Sequence, residues 1–145
     1  HKDRLKIAYN NAAFFKEIYE SIILPVYNKE WNLLSDLNVE LIKLIADYLE
    51  IKSKLVLASE LKINHSIKGS DYVLEICKHL KAKMYYSGKF GADYLDKKYF
   101  KEEGIEIEFQ EYVLPEYSQN YNTFIPGLPV IDLLFNHGRE SLAIF

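Results

Sequence analysis

The chain has 145 residues, of which 18 are basic and 21 acidic, with a formal net charge of −3 and 49% hydrophobic residues. This is the composition of a soluble globular domain with a sizeable core, and it excludes a disordered chain. The charges are interspersed with no basic block, which argues against a nucleic-acid partner, and no apolar run nears the roughly 18 residues that a membrane span needs.

Residues 3–24 place Leu5, Ala8, Ala12, Phe15, Ile18, Tyr19, Ile22 and Ile23 at spacings of three and four, which predicts one amphipathic helix. Pro25 ends or kinks it. Asn28 is the expected N-cap of a second helix over 29–50, with Leu34, Leu37, Leu41, Ile42, Ile45, Tyr48 and Leu49 facing the core. Asn38 falls within that stripe, where a polar amide needs a partner. The single cysteine, Cys77, cannot form an intrachain disulfide, which fits a reducing, cytoplasmic compartment. The chain opens on His1 in a charged, amphipathic pattern with no signal peptide, so it reads as the C-terminal portion of something longer.

The short apolar run 54–58 predicts a strand covered on both faces, ending at Ser59-Glu60. After a polar loop, Ser70 is the expected cap of a helix whose inward face carries Val73, Leu74, Cys77 and Leu80. Cys77 reads there as a small core residue. A short buried strand over 84–86 is expected next, stopping abruptly at Ser87-Gly88. Gly88 and Gly91 allow a left-handed backbone and close approach of a ligand, although Ser-Gly is equally an ordinary turn. Asp96 caps a short helix through Glu103, and Gly104 terminates it. Residues 105–109 then alternate strictly, the period of a strand with one wet face.

This rhythm predicts a single α/β domain over 1–145. Its sheet is expected to be parallel, of at least three strands, flanked by helices and Rossmann-like, with the part beyond this chain completing it. Residues 111–129 are irregular and rich in tyrosine and proline, and a loop of that length is usually functional. A short apolar helix carrying Asp132 closes the chain, followed by Asn136-His-Gly138.

The four histidines, His1, His65, His79 and His137, are scattered with no metal-ligand spacing, and neither a P-loop nor a dinucleotide fingerprint occurs, so no metal or cofactor is expected. What remains is a set of polar strand ends: Ser59-Glu60, Ser87-Gly88 and Gln110-Glu111. Hydroxyls, carboxylates and amides beside aromatic rings suit a small polar metabolite such as a nucleotide or sugar. Glu60 is a candidate general base if desolvated, or alternatively the cap of the following turn. Asp132, a carboxylate inside an apolar helix, is the other candidate catalytic or pocket-buttressing group. Ser59 and Ser87 would offer hydroxyls, the Gly88 amide would bind phosphate or carboxylate, and Tyr94 and Gln119 would position substrate.

Several stretches together resemble the WbqC-like protein family. They are Ala8-Tyr9, Phe14-Phe15, Leu37-Asn38, Ala58-Ser59-Glu60-Leu61, Tyr86-Ser87-Gly88, Tyr94-Leu95, Gly104-Ile105-Glu106, Tyr117-Ser118-Gln119, Phe124-Ile125-Pro126 and Ile131-Asp132-Leu133-Leu134-Phe135-Asn136. The resemblance covers the whole chain. Pro129-Val130 stands where the family has a serine, and Ser118 where it has a proline. The resemblance adds Phe124 and Asn136 to the substrate-binding candidates. It implies a glycine- or aminoacyl-transferring enzyme acting on an amino sugar or sugar nucleotide in O-antigen or other surface-polysaccharide synthesis. Its partners would be that small-molecule substrate and an acyl donor. The alternative is a non-catalytic ligand-binding or scaffold protein of the same pathway.

Overall fold

The computed structural model describes residues 1–144, and the chain divides into two compact units. The first comprises His1–Lys54 together with the chain from Leu114 on, and the second is Leu55–Val113.

The first unit is helical. Helix α1 (Lys2–Tyr9) ends well before the residue expected, and a tight turn leads to α2 (Phe15–Ile18). Helix α2 runs through a π-helical turn, Tyr19–Ile23, into α3 (Leu24–Tyr27). Pro25 therefore does not end the helix. It sits in the first turn of α3, where a proline has no hydrogen bond to lose, and the wider π-turn just before it absorbs the change of register. Asn28 is the C-cap of α3 rather than an N-cap. The indole Nε1–H of Trp31, the sole tryptophan, donates to the Val26 carbonyl at 2.8 Å, satisfying one orphan acceptor of the last turn. Lys29 sits over the same ring, 4.3 Å from its centre.

Helix α4 (Leu34–Tyr48) starts later than expected and lays Leu41, Leu44, Ile45 and Tyr48 against the core, while Leu34 and Ile42 face solvent. Asn38 is exposed, so no buried partner is needed. The helix closes on Glu50, a left-handed residue at φ 58, with Glu50 N–H donating to Asp47 O and Ile51 N–H to Ala46 O. Helix α7 (Val130–His137) brings Leu133, Leu134 and Phe135 into the unit, and its Leu134 and Phe135 share one core with Ile18, Ile22, Ile23 and Leu49.

The second unit holds a parallel sheet of two strands, β1 (Met84–Ser87) and β2 (Glu106–Phe109), paired Met84 to Glu106 through Ser87 to Phe109. The expected sheet of at least three strands is thus corrected to two. Among the described residues, 54–57 form no strand, and Leu55 and Val56 are 48% and 40% exposed. An apolar run becomes a buried strand only where layers cover both of its faces, and here they do not.

Helix α5 (Gly69–His79) precedes β1, and α6 (Lys97–Glu102) makes the crossover to β2. The Ser70 hydroxyl accepts from the Asp96 N–H at 2.8 Å and so serves the next helix instead of capping its own. Asp96 caps α6 as expected, its carboxylate accepting from the Lys98 and Tyr99 N–H groups. Gly104, at φ 71, ends α6. Phe100, Cys77, Leu95 and Ile105 form this unit's core. Burial pushes the Cys77 thiol up, as befits a core residue and not a nucleophile.

Candidate functional site

The most constrained polar group of the first unit is Asp132. It is the third residue of α7, in the first turn, where exposed N–H groups favour a carboxylate. Its side chain is nevertheless 0% exposed, so donors must come from elsewhere. The irregular loop supplies them. Tyr117 Oη–H donates to Oδ2 at 2.9 Å, and Gln119 Nε2–H donates to the same oxygen at 3.0 Å. The other oxygen, Oδ1, is buried with no hydrogen-bond partner among the described residues.

Gln119 does more than reach Asp132. Its amide also pairs in both senses with the Ile125 backbone, Nε2–H to the carbonyl at 3.0 Å and the Ile125 N–H to Oε1 at 2.8 Å. One side chain thereby closes the loop 119–125 as a strand backbone would. Phe124 packs edge-on against Tyr117 with ring centres 5.4 Å apart, and His137 does the same at 5.7 Å. His137 Nε2 lies 3.0 Å from the Ser118 carbonyl, which fixes Nε2 as a donor there. Asn136 turns back on its own helix, Nδ2–H donating to the Asp132 carbonyl at 2.8 Å. Tyr9, its ring tilted against that of Phe135 with centres 4.8 Å apart, completes the cluster. Its phenol is held well above the ordinary tyrosine value, first by burial, then by the negative charge of Asp132 and by a hydrogen-bonding interaction with that carboxylate. Tyr9 is thus a neutral hydroxyl at any physiological pH.

In the second unit Ser87 is 4% exposed at the end of β1, and its hydroxyl donates to the Gly88 carbonyl at 3.2 Å. Neither Gly88 nor Gly91 is left-handed; Gly88 is extended at φ −62, ψ 159. Gly91 is required for another reason: a Cβ there would run into the Ser87 hydroxyl. Burial raises the Tyr85 hydroxyl, with Tyr94 and Ser87 among its polar neighbours. Ser59 and Glu60 are exposed on the single turn Ala58–Glu60.

Of the candidates read from the sequence, Asp132, Gln119, Phe124 and Asn136 come together in one cluster. Ser87, Gly88 and Tyr94 belong to the loop after β1, with Ser59 and Glu60 on a separate turn of the same unit. Sequence reasoning passed over Tyr9, Tyr117 and His137 as site residues, although Tyr9 and Tyr117 both lie in the stretches that carry the family resemblance.

The model of the WbqC-like protein family matches residues 1–144. This chain belongs to that family. The protein named "Uncharacterized protein Rv1507c" of Mycobacterium tuberculosis (strain ATCC 25618 / H37Rv) is 30% identical over 143 residues, covering 97% of this chain. The chain spans 61% of that relative's length. No solved structure matches the chain. Among the described residues, no helix is long and apolar enough to cross a membrane.

Proposed function

We propose that this WbqC-like chain is part of a transferase that joins a glycyl or other aminoacyl group to an amino sugar or sugar nucleotide in surface-polysaccharide synthesis, O-antigen included. The observation that carries the reading is the buried Asp132 carboxylate, whose Oδ2 is held by two donors, with the Tyr9 hydroxyl beside it and no geometric hydrogen bond to Oδ1 among the described residues. A carboxylate fixed in this way is equipped to accept a proton or a substrate N–H. In the reaction the substrate amine nitrogen bonds to the acyl carbon of an activated donor, and the bond to the donor's leaving group breaks. The base takes the amine proton and returns it to that leaving group.

Asp132 is the first candidate for that base and Glu60 the second. Gln119 and Asn136 hold the Asp132 turn, and Phe124 walls it. Ser59, Ser87, the Gly88 amide and Tyr94 remain proposed contacts to the sugar nucleotide. A cytoplasmic setting goes with an activated sugar as substrate.

A second reading, a non-catalytic binding or scaffold protein of the same pathway, is favoured by the Gln119–Ile125 pairing. It shows Asp132 bound into a loop clamp, a use that needs no reaction. The test takes the protein at its natural full length. A panel of nucleotide-activated amino sugars is screened by thermal shift, and binders are incubated with aminoacyl donors and read by mass spectrometry. Binding with acyl transfer that Asp132→Asn abolishes is the expected result. Binding without transfer supports the second reading, and no binding across the panel ends both.

A further inference from the structure

The second unit has a groove of about 460 Å³ along β2, lined by Lys97, Lys101, Gly104, Ile105, Glu106 and Ile107. It lies against the first half of β2 and the residues that lead into it. The Glu106 N–H bonds to the Lys83 carbonyl and the Gln110 N–H to the Ser87 carbonyl, so the even positions of β2 face β1. In a parallel ladder the bonding direction alternates along the strand, which turns the backbone groups of Ile107 and Phe109 outward. Among the described residues β2 pairs with β1 alone, so that edge is open.

From this we infer that the β2 edge binds an extended peptide segment as an added strand, its alternate acidic side chains lying against Lys97 and Lys101. The two lysines are one helical turn apart on α6, about 6 Å along its axis. Alternate residues of a strand are about 6.7 Å apart on one face, so two carboxylates at every second position match two ammonium groups one turn apart. Lys97 is placed on the correct face, 4.8 Å over the ring of Phe109. The neighbouring pair Lys98–Glu102 shows that the acidic residue of this helix is taken up by a different lysine.

By the alternation of the strand, the exposed Glu106 and Glu108 lie on the face of β2 opposite Ile107 and Phe109, with Glu106 also reaching the start of the groove. The intervening residues of the added strand are therefore basic or hydroxylic. A second copy of β2 fails both conditions, since it would set Ile against Lys and Glu against Glu. This inference is independent of the transferase reading.

The test uses the protein at natural full length and a labelled, end-blocked peptide alternating Glu and Thr, followed by fluorescence anisotropy. The expected result is saturable binding that weakens by about tenfold or more in Lys97→Ala/Lys101→Ala, weakens likewise with a proline at the peptide's centre, and falls with salt. Lys97→Glu/Lys101→Glu should invert the preference toward a peptide alternating Lys and Thr, which a merely unfolded variant could not do. Equal binding of a scrambled peptide of the same composition overturns the proposal, as does no binding at millimolar peptide. Sedimentation giving a dimer that Ile107→Pro dissolves also overturns it, because the edge would then be taken by a second copy.

Discussion

The two polar clusters are built on opposite principles. In the first unit Asp132 is buried by hydrogen bonding: Tyr117 and Gln119 reach it from 15 and 13 residues away. In the second unit Ser87 is buried by packing: Gly91 lies so close that no side chain fits, and the hydroxyl turns to its neighbour's carbonyl. A cluster of the first kind tolerates changes of shape but not loss of an acceptor. A cluster of the second kind tolerates loss of a polar group but not an added methyl.

Asp132→Ala is expected to be the most damaging change, costing about 2–4 kcal/mol in urea unfolding, because it leaves the half-buried donors of Tyr117 and Gln119 short of an acceptor and opens a hole at a fully buried position. Asp132→Asn should cost clearly less while still abolishing any transfer activity. A loss from Asp132→Ala of less than about 0.5 kcal/mol would mean that the cluster does not order the loop. Gly91→Ala should cost about 1–3 kcal/mol through overpacking against Ser87. If the double variant Gly91→Ala/Ser87→Ala recovers most of that, the packing account stands; if it does not, the glycine serves backbone geometry.

Lys81→Gly sharpens the contrast from the side of the backbone. Lys81 ends α5 in the left-handed region at φ 54, its N–H donating to Lys78 O while the Ala82 N–H donates to Cys77 O. Glycine there should raise stability by about 1 kcal/mol, read as a higher urea midpoint. Glu60→Ala should be nearly silent, within about 0.5 kcal/mol, since the residue is exposed. A large effect of Glu60→Ala on turnover alone would move the proposed base from Asp132 to Glu60.

From Asp96 to β2 the chain was legible almost residue by residue, because its signals are local. Upstream of it Ser70 does not cap its own helix, and Leu80, expected inward, and Met84 and Tyr86, expected buried, are 47%, 49% and 58% exposed. Asp96 caps α6, Gly104 closes it, and the alternation of 105–109 makes a strand parallel to β1. The third strand was not legible: whether Leu55-Val56-Leu57 pairs depends on a neighbour, and no property of the run supplies one. The long first helix failed for a similar reason. Its apolar spacing persists through residues 10–14, where Phe14 N–H donates to the Phe135 carbonyl, and that tertiary contact outweighs local continuity. In the site, an acid inside an apolar helix flagged Asp132, but its partners Tyr117 and Tyr9 look in sequence like any other of the 12 tyrosines. Only the folded loop tells them apart.

The position of Trp31 gives the molecule a built-in reporter. With one tryptophan in the chain, hydrogen-bonded to the end of α3 and half-buried, indole emission follows the melting of the first unit alone. Far-ultraviolet circular dichroism sums the helices of both. Superposing the two unfolding curves therefore asks of the intact protein whether its halves melt as one cooperative body or in sequence.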